Sequence, residues 1–220
     1  MAKDPIKKLN NLVHAESFLQ VNFIKGYKYI DRAGEVVNLF YDEKNLPPKF
    51  QMDRNFLVIQ KQQKLNEEYR LSVGDFWMHS VSPTGLDAVA TNYENLVEKV
   101  LNVIDVTKIN RLGWRNYFVY ECDKSTMDGT HFSKLLNNSD FELSEVVFSK
   151  ALSSFTFNFR ISRVVKEKTP DTQGLLFDVD CFKKYDQETD VSKIKSDLKK
   201  MRETMQAEGF LAVVNFLINK

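Results

Sequence analysis

The stretch Phe155-Thr156-Phe157-Asn158-Phe159-Arg160-Ile161-Ser162 decides how the rest of the chain is read. Large apolar residues occupy every second position and polar ones fill the gaps. That is the two-residue period of a strand with one buried face. Working outward, Thr169-Pro170-Asp171 reads as a turn. Leu175 to Phe182 then reads as a buried-type strand. Asp190 is placed as a helix N-cap. Val191, Ile194, Leu198, Met201 and Met205 follow at spacings of three and four, the stripe of an amphipathic helix. Gly209 interrupts it. Phe210, Leu211, Val213, Val214, Phe216 and Leu217 come last, with helical spacing and a short terminal strand as the competing reading.

The same plan is visible upstream. Asn55 to Gln60 is a short apolar run of the buried-strand type. After a turn near Asn66-Glu67-Glu68, Tyr69, Leu71, Val73 and Trp77 alternate with Arg70, Ser72, Gly74 and Met78, which predicts one strand. Ser82-Pro83-Thr84-Gly85 breaks it. Tyr93, Leu96, Val97, Val100, Leu101 and Ile104 form a helical stripe, and Ile109 to Glu121 reads as an aromatic-rich strand. Between the halves, Asp123 to Asp140 is polar and turn-rich, with a short apolar patch at Phe132, Leu135 and Leu136 that could form a helix. A further strand is expected near Phe18 to Phe23, after a loose N-terminal stretch. The predicted fold class is α+β: a mainly antiparallel sheet with long helices packed on one face. It comprises two similar strand–strand–helix halves, at about 55–121 and 150–219, in a single domain over 1–220.

Composition narrows the function. The chain has 220 residues, with 31 Lys plus Arg against 30 Asp plus Glu. Neither a basic domain nor an acidic one emerges in any third of the chain, which argues against a protein built to coat nucleic acid or anionic lipid. At 43% hydrophobic residues it is not a disordered sequence. Two cysteines, Cys122 and Cys181, are too few for a disulfide framework or a four-ligand zinc site. No apolar run is long enough for a membrane helix, and the first ten residues lack the apolar core of a secretory signal. The expectation is a cytoplasmic protein without a membrane partner.

Two strands hold charges that could do chemistry. In Arg111-Leu112-Gly113-Trp114-Arg115, strand geometry puts Arg111, Gly113 and Arg115 on one face. A glycine between two arginines leaves a gap for a phosphate, carboxylate or backbone. The competing account is structural arginines paired with carboxylates. In Leu175-Leu176-Phe177-Asp178-Val179-Asp180-Cys181-Phe182-Lys183-Lys184, Asp178 and Asp180 share a face and could take a divalent cation. Alternatively the two arginines and two aspartates neutralise each other as a structural cluster. His14, His79 and His131 form no metal or nucleophile pattern. No phosphate-binding glycine loop or nucleophile elbow is present. Lys193, Lys195, Lys199, Lys200 and Arg202, interleaved with Asp197 and Glu203, read as a solvated helix face. Nucleic-acid contact there and at Arg111 and Arg115 is the weaker option.

The Asp178 segment resembles the metal-binding strand of diguanylate cyclases and related palm-type nucleotide cyclases. That resemblance implies a metal at Asp178 and the following carbonyl, with Lys183 near phosphates. No Gly-Gly-Asp/Glu-Glu-Phe hairpin follows it in the sequence. Taken together, the Arg111–Arg115 strand and the Leu176–Asp180 strand resemble a family of uncharacterised, sporadically distributed bacterial proteins. That family has a mid-chain Arg-(Ile/Leu/Val)-Gly-Leu-Arg strand and a late apolar-Asp-x-Asp strand, each beside a long helix. Trp114 stands where its pattern has Leu, and Asn116-Tyr117 reverses its order of aromatic and polar residues. The resemblance, spanning roughly Phe18 to Ile218, implies a setting among mobile or antiphage-defence genes.

The functional expectation is a non-enzymatic subunit, sensor or adaptor acting by protein–protein contacts, with a protein partner or a second copy and no cofactor. Phe210, Val213, Val214, Phe216 and Leu217 are its candidate docking face. The alternative is a metal-dependent nucleotide-binding or cyclase-like palm built on Asp178 and Asp180.

Overall fold

The computed structural model describes residues 12–42, 44–62, 64, 66–137, 145–166, 169–206, 213–214 and 217–218. The strands are β1 (Leu12–Phe23), β2 (Lys49–Met52), β3 (Phe56–Gln60), β4 (Glu67–Ser72), β5 (Asp75–Val81), β6 (Lys108–Asp123), β7 (Glu145–Leu152), β8 (Phe155–Lys166) and β9 (Thr169–Asp190). The helices are α1 (Ala33–Asn38), α2 (Leu86–Val103), α3 (Lys124–Asp128), α4 (His131–Asn137) and α5 (Lys193–Thr204). The strands make one nine-stranded antiparallel sheet in the order β2-β3-β4-β5-β1-β6-β9-β8-β7.

The expectation of long helices packed on a sheet is corrected. Among the described residues strand outweighs helix, 48% against 30%, and the helices are short. Only α2, with 18 residues, exceeds four turns among the described helices. The reason lies in strand length. β9 runs for 22 residues, so the apolar core read as Leu175 to Phe182 is only its middle, and Thr169 to Asp171 belongs to the strand rather than to a turn. Polar residues beyond Phe182 continue the strand because backbone pairing, not burial, holds them.

A second correction concerns Tyr69 to Met78, which is a hairpin and not one strand. Ser72 Oγ accepts hydrogen bonds from the backbone N–H of Gly74 (3.2 Å) and of Asp75 (3.1 Å), closing the turn. The phase resets across it. Tyr69 and Leu71 are buried on β4, but on β5 the buried residues are Phe76, Met78 and Ser80, leaving Trp77 on the opposite face. Two further details differ. β7 was not read from sequence, and the Asp190 carboxylate bonds Ser192 N–H (3.0 Å) in the turn ahead of α5. The short helix near Phe132 is present as α4.

The described residues fall into two compact units. One draws on Met1–Ala15, Asn116–Cys181 and Met201–Lys220; the other on Glu16–Arg115 and Phe182–Lys200. These bounds do not follow the two halves seen in the sequence. In the larger unit α2 buries Leu86, Val89, Ala90, Tyr93, Leu96, Val97, Val100 and Leu101. Its sheet contributes Leu57, Ile59, Tyr69, Leu71, Phe76 and Met78. A run of rings crosses that core: Phe40 meets Tyr69 edge-on at 4.9 Å, and Phe76 stacks on Tyr93 at 5.5 Å. Tyr93 Oη donates to the Phe76 carbonyl (2.7 Å), so its buried hydroxyl is satisfied. Each such ring contributes about 1.5–3 kcal/mol by leaving water.

The other unit is packed by the alternation that opened the sequence reading. Phe155, Phe157, Phe159 and Ile161 of β8 are all buried, beside Leu175, Phe177, Val179 and Cys181 of β9. His14 stacks on Phe118 at 4.5 Å and bonds the Asn116 side chain at 3.0 Å, a polar contact inside this core.

Candidate functional site

The arginine strand adopts the expected alternation. Leu112 and Trp114 are fully buried, and Trp114 Nε1 donates to Ser17 Oγ (2.8 Å). Arg111 is half-buried and Arg115 exposed. The gap at Gly113 is filled by the chain itself. A Cβ added there would lie 2.9 Å from Arg111 Nη1, so the guanidinium lies across the glycine. From that position Arg111 Nη1 donates to Gln20 Oε1 (3.2 Å) and Asn22 Oδ1 (3.4 Å), and the group sits 5.2 Å from the Phe182 ring centroid. Gly113 thus serves close packing of Arg111.

Asp178 and Asp180 belong to the other compact unit. Their row on β9 is opposite the buried row of Leu175, Phe177, Val179 and Cys181. Asp178 is 7% exposed and Asp180 half-buried. Burial, with the Asp180 charge added, pushes the neighbouring Cys181 thiol far above its ordinary range. Among the described residues no three His, Cys, Asp or Glu side chains converge as a metal cage would require.

The candidate C-terminal docking face is described only in part. Phe210 and Phe216 lie outside the described residues. Val214 and Leu217 are helical and buried, at 0% and 4% exposure, with Val213 half-buried. Their apolar surface is used internally. Lys193, Lys195, Lys199 and Lys200 are exposed on α5, and Lys195 pairs with Glu98 (3.0 Å), as a solvated face does. On the buried side of α5, Asp197 accepts from Lys183 (3.0 Å) and Tyr185 (2.7 Å), pinning α5 to β9.

One polar cavity of about 310 Å³ opens at the start of α2, between Lys64, Glu67, Ser80, Thr84 and Asn92. Its strongest groups satisfy one another. Glu67, 6% exposed, accepts from Asn92 Nδ2 (2.6 Å) and Tyr69 Oη (3.0 Å), and Lys64 donates to Asn92 Oδ1 (3.1 Å). Burial and the Glu67 charge hold the Tyr69 phenol protonated well beyond its usual range.

Unsatisfied apolar surface is found instead at β2, an end strand of the sheet. All four of its residues are exposed. Its register sets Phe50 opposite Ile59 and Met52 opposite Leu57. Directly opposed residues share a face, so Phe50 and Met52 extend the row that Leu57 (0% exposed) and Ile59 (1%) bury under the helix layer. At β2 that row is open: Phe50 is 62% exposed and Met52 40%. The backbone adds a second feature. Asp53 N–H donates to the Phe56 carbonyl (3.0 Å), so position 53 pairs inward with β3. By antiparallel alternation positions 51 and 49 also pair inward. Phe50 and Met52 therefore direct their N–H and C=O groups outward.

Sequence reading missed β2 because four residues with neither face buried give a weak periodic signal. The available signal was Pro47-Pro48, which marks a strand start, followed by the alternation of Lys49, Phe50, Gln51 and Met52. No family model matches the chain, and no curated protein matches it.

Proposed function

We propose that this protein works as a subunit, sensor or adaptor through protein–protein contact at the β2 edge, without chemistry of its own. The observation that carries this reading is the buried Leu57–Ile59 row continuing, uncovered, as Phe50 and Met52 on an end strand with outward backbone groups. An edge of this kind recruits another strand by main-chain bonds and gains affinity from the apolar side chains. The resemblance at Arg111–Arg115 and Leu176–Asp180 supports a bacterial defence or conflict system as the setting.

The test is the size of the native assembly. Isolated gently from its source cells, the chain is expected to elute well above its own 25.6 kDa, and Phe50→Asp is expected to release it. Elution of the unaltered chain at monomer mass overturns the reading.

A further inference from the structure

We propose that the strand added at β2 is β2 of a second copy of this chain, paired antiparallel about a two-fold axis with Gln51 opposite Gln51. This rests on the β2 contact reading and names its partner. The sequence around β2 is self-complementary in that register. Lys49 falls opposite Asp53 of the second copy, so a base meets an acid at both ends. Phe50 falls opposite Met52, so the two exposed apolar residues cover each other on the face that continues the core.

Backbone phase selects the same register. Phe50 and Met52 carry the outward N–H and C=O groups, and antiparallel strands exchange both bonds between residues of that kind. Setting Phe50 opposite Met52 therefore satisfies both residues on each strand. Shifting the partner so that Phe50 opposes Phe50 would set Pro48, which has no N–H, against Met52. Shifting it the other way sets Phe50 against Arg54, which lies beyond the end of β2 in the turn that Asp53 closes. Neither alternative pairs Lys49 with Asp53. A two-fold axis also closes the contact, so the pairing stops at a dimer.

The experiment uses the purified full chain, alone. Sedimentation equilibrium across about 1–500 µM covers the micromolar affinities small interfaces reach. It is expected to show twice the 25.6 kDa monomer mass. Phe50→Asp is expected to raise the dissociation constant at least about tenfold, with an unchanged thermal midpoint at concentrations where both chains are monomeric, because the side chain is exposed in the monomer. Gln51→Cys tests register independently. Opposed residues at a non-bonded position have Cα atoms about 4.5 Å apart, within disulfide reach of roughly 4.4–6.8 Å. Mild oxidation should link Gln51→Cys chains much faster than Lys49→Cys chains or the unaltered chain. A monomer at every concentration, a dimer indifferent to Phe50→Asp, or equal linking at positions 49 and 51 each overturns the proposal. A large assembly from cells combined with a purified monomer would sink self-pairing alone, leaving β2 open to a different protein.

Discussion

Strands β2 and β7 each end the sheet, and each borders a row of buried side chains. On β7 that row passes from Ile161, Phe159 and Phe157 to Val146, Phe148 and Lys150. Phe148 is held by its 4.8 Å stack on Phe159, and the exposed Lys150 sits opposite fully buried Phe157. A lysine on the core-side row of an edge is a device against further pairing, since a strand laid beside it would bury the charge. On the outer face Glu145 reaches Arg160 (3.8 Å) and Ser149 Oγ bonds Asn158 (2.7 Å), and between them stands one exposed apolar residue, Val147 (58%). On β2 the corresponding row is Phe50 and Met52, and Lys49 stands on the other face, where it leaves the apolar row unbroken. β7 has eight residues and β2 four. On the proposed account the shorter edge is the one that accepts a strand, so composition of one face, not edge length, would decide which edge pairs.

The comparison can be broken first at the buried row itself. Leu57→Ala removes a core side chain and should cost about 2–5 kcal/mol of folding stability. Phe50→Ala, one strand outward on the same row, should stay within about 0.5 kcal/mol at concentrations where the chain is monomeric. Urea unfolding of both variants measures the contrast, and similar losses would mean that Phe50 is already part of the core.

Next, the guard on β7 can be removed. Lys150→Ile makes its row resemble that of β2. New concentration-dependent association is expected by light scattering, and it should persist when Phe50→Asp is added. If Lys150→Ile stays as soluble and as small as the unaltered chain, the lysine is not what keeps β7 unpaired.

The smallest effect concerns charge. Lys49→Glu would set a carboxylate opposite Asp53 and weaken self-association by roughly three- to tenfold, with the difference shrinking as salt is raised. Asp53 should be changed only to Asn. Its Oδ1 accepts from Asn55 N–H (2.7 Å) and Phe56 N–H (3.0 Å), and an amide oxygen keeps that turn closed.

What was legible in the sequence follows the same logic of faces. β8 was read correctly because from Phe155 to Ser162 one face is buried and the other polar, and α2 because its stripe covers a single sheet. The β4–β5 hairpin was misread because alternation continued by coincidence through Val73-Gly74, although the turn exchanged the faces. β9 was read short because its last residues are held by pairing and leave no apolar trace. At Arg111–Arg115 the alternation was legible, but the occupant of the Gly113 gap was not, since Arg111 folding back along its own strand leaves no sequence pattern. The C-terminal run was legible as apolar. Whether it served the core or a partner depended on packing, which buries Val214 and Leu217.

The most direct test of the central claim is backbone hydrogen exchange, read residue by residue at low and high protein concentration. Phe50 and Met52 carry the outward amides of β2, while Gln51 already pairs with β3. The account predicts that exchange at Phe50 and Met52 slows as concentration rises, with Gln51 and the β7 amides little changed. Exchange at Phe50 and Met52 that is fast and independent of concentration would contradict it.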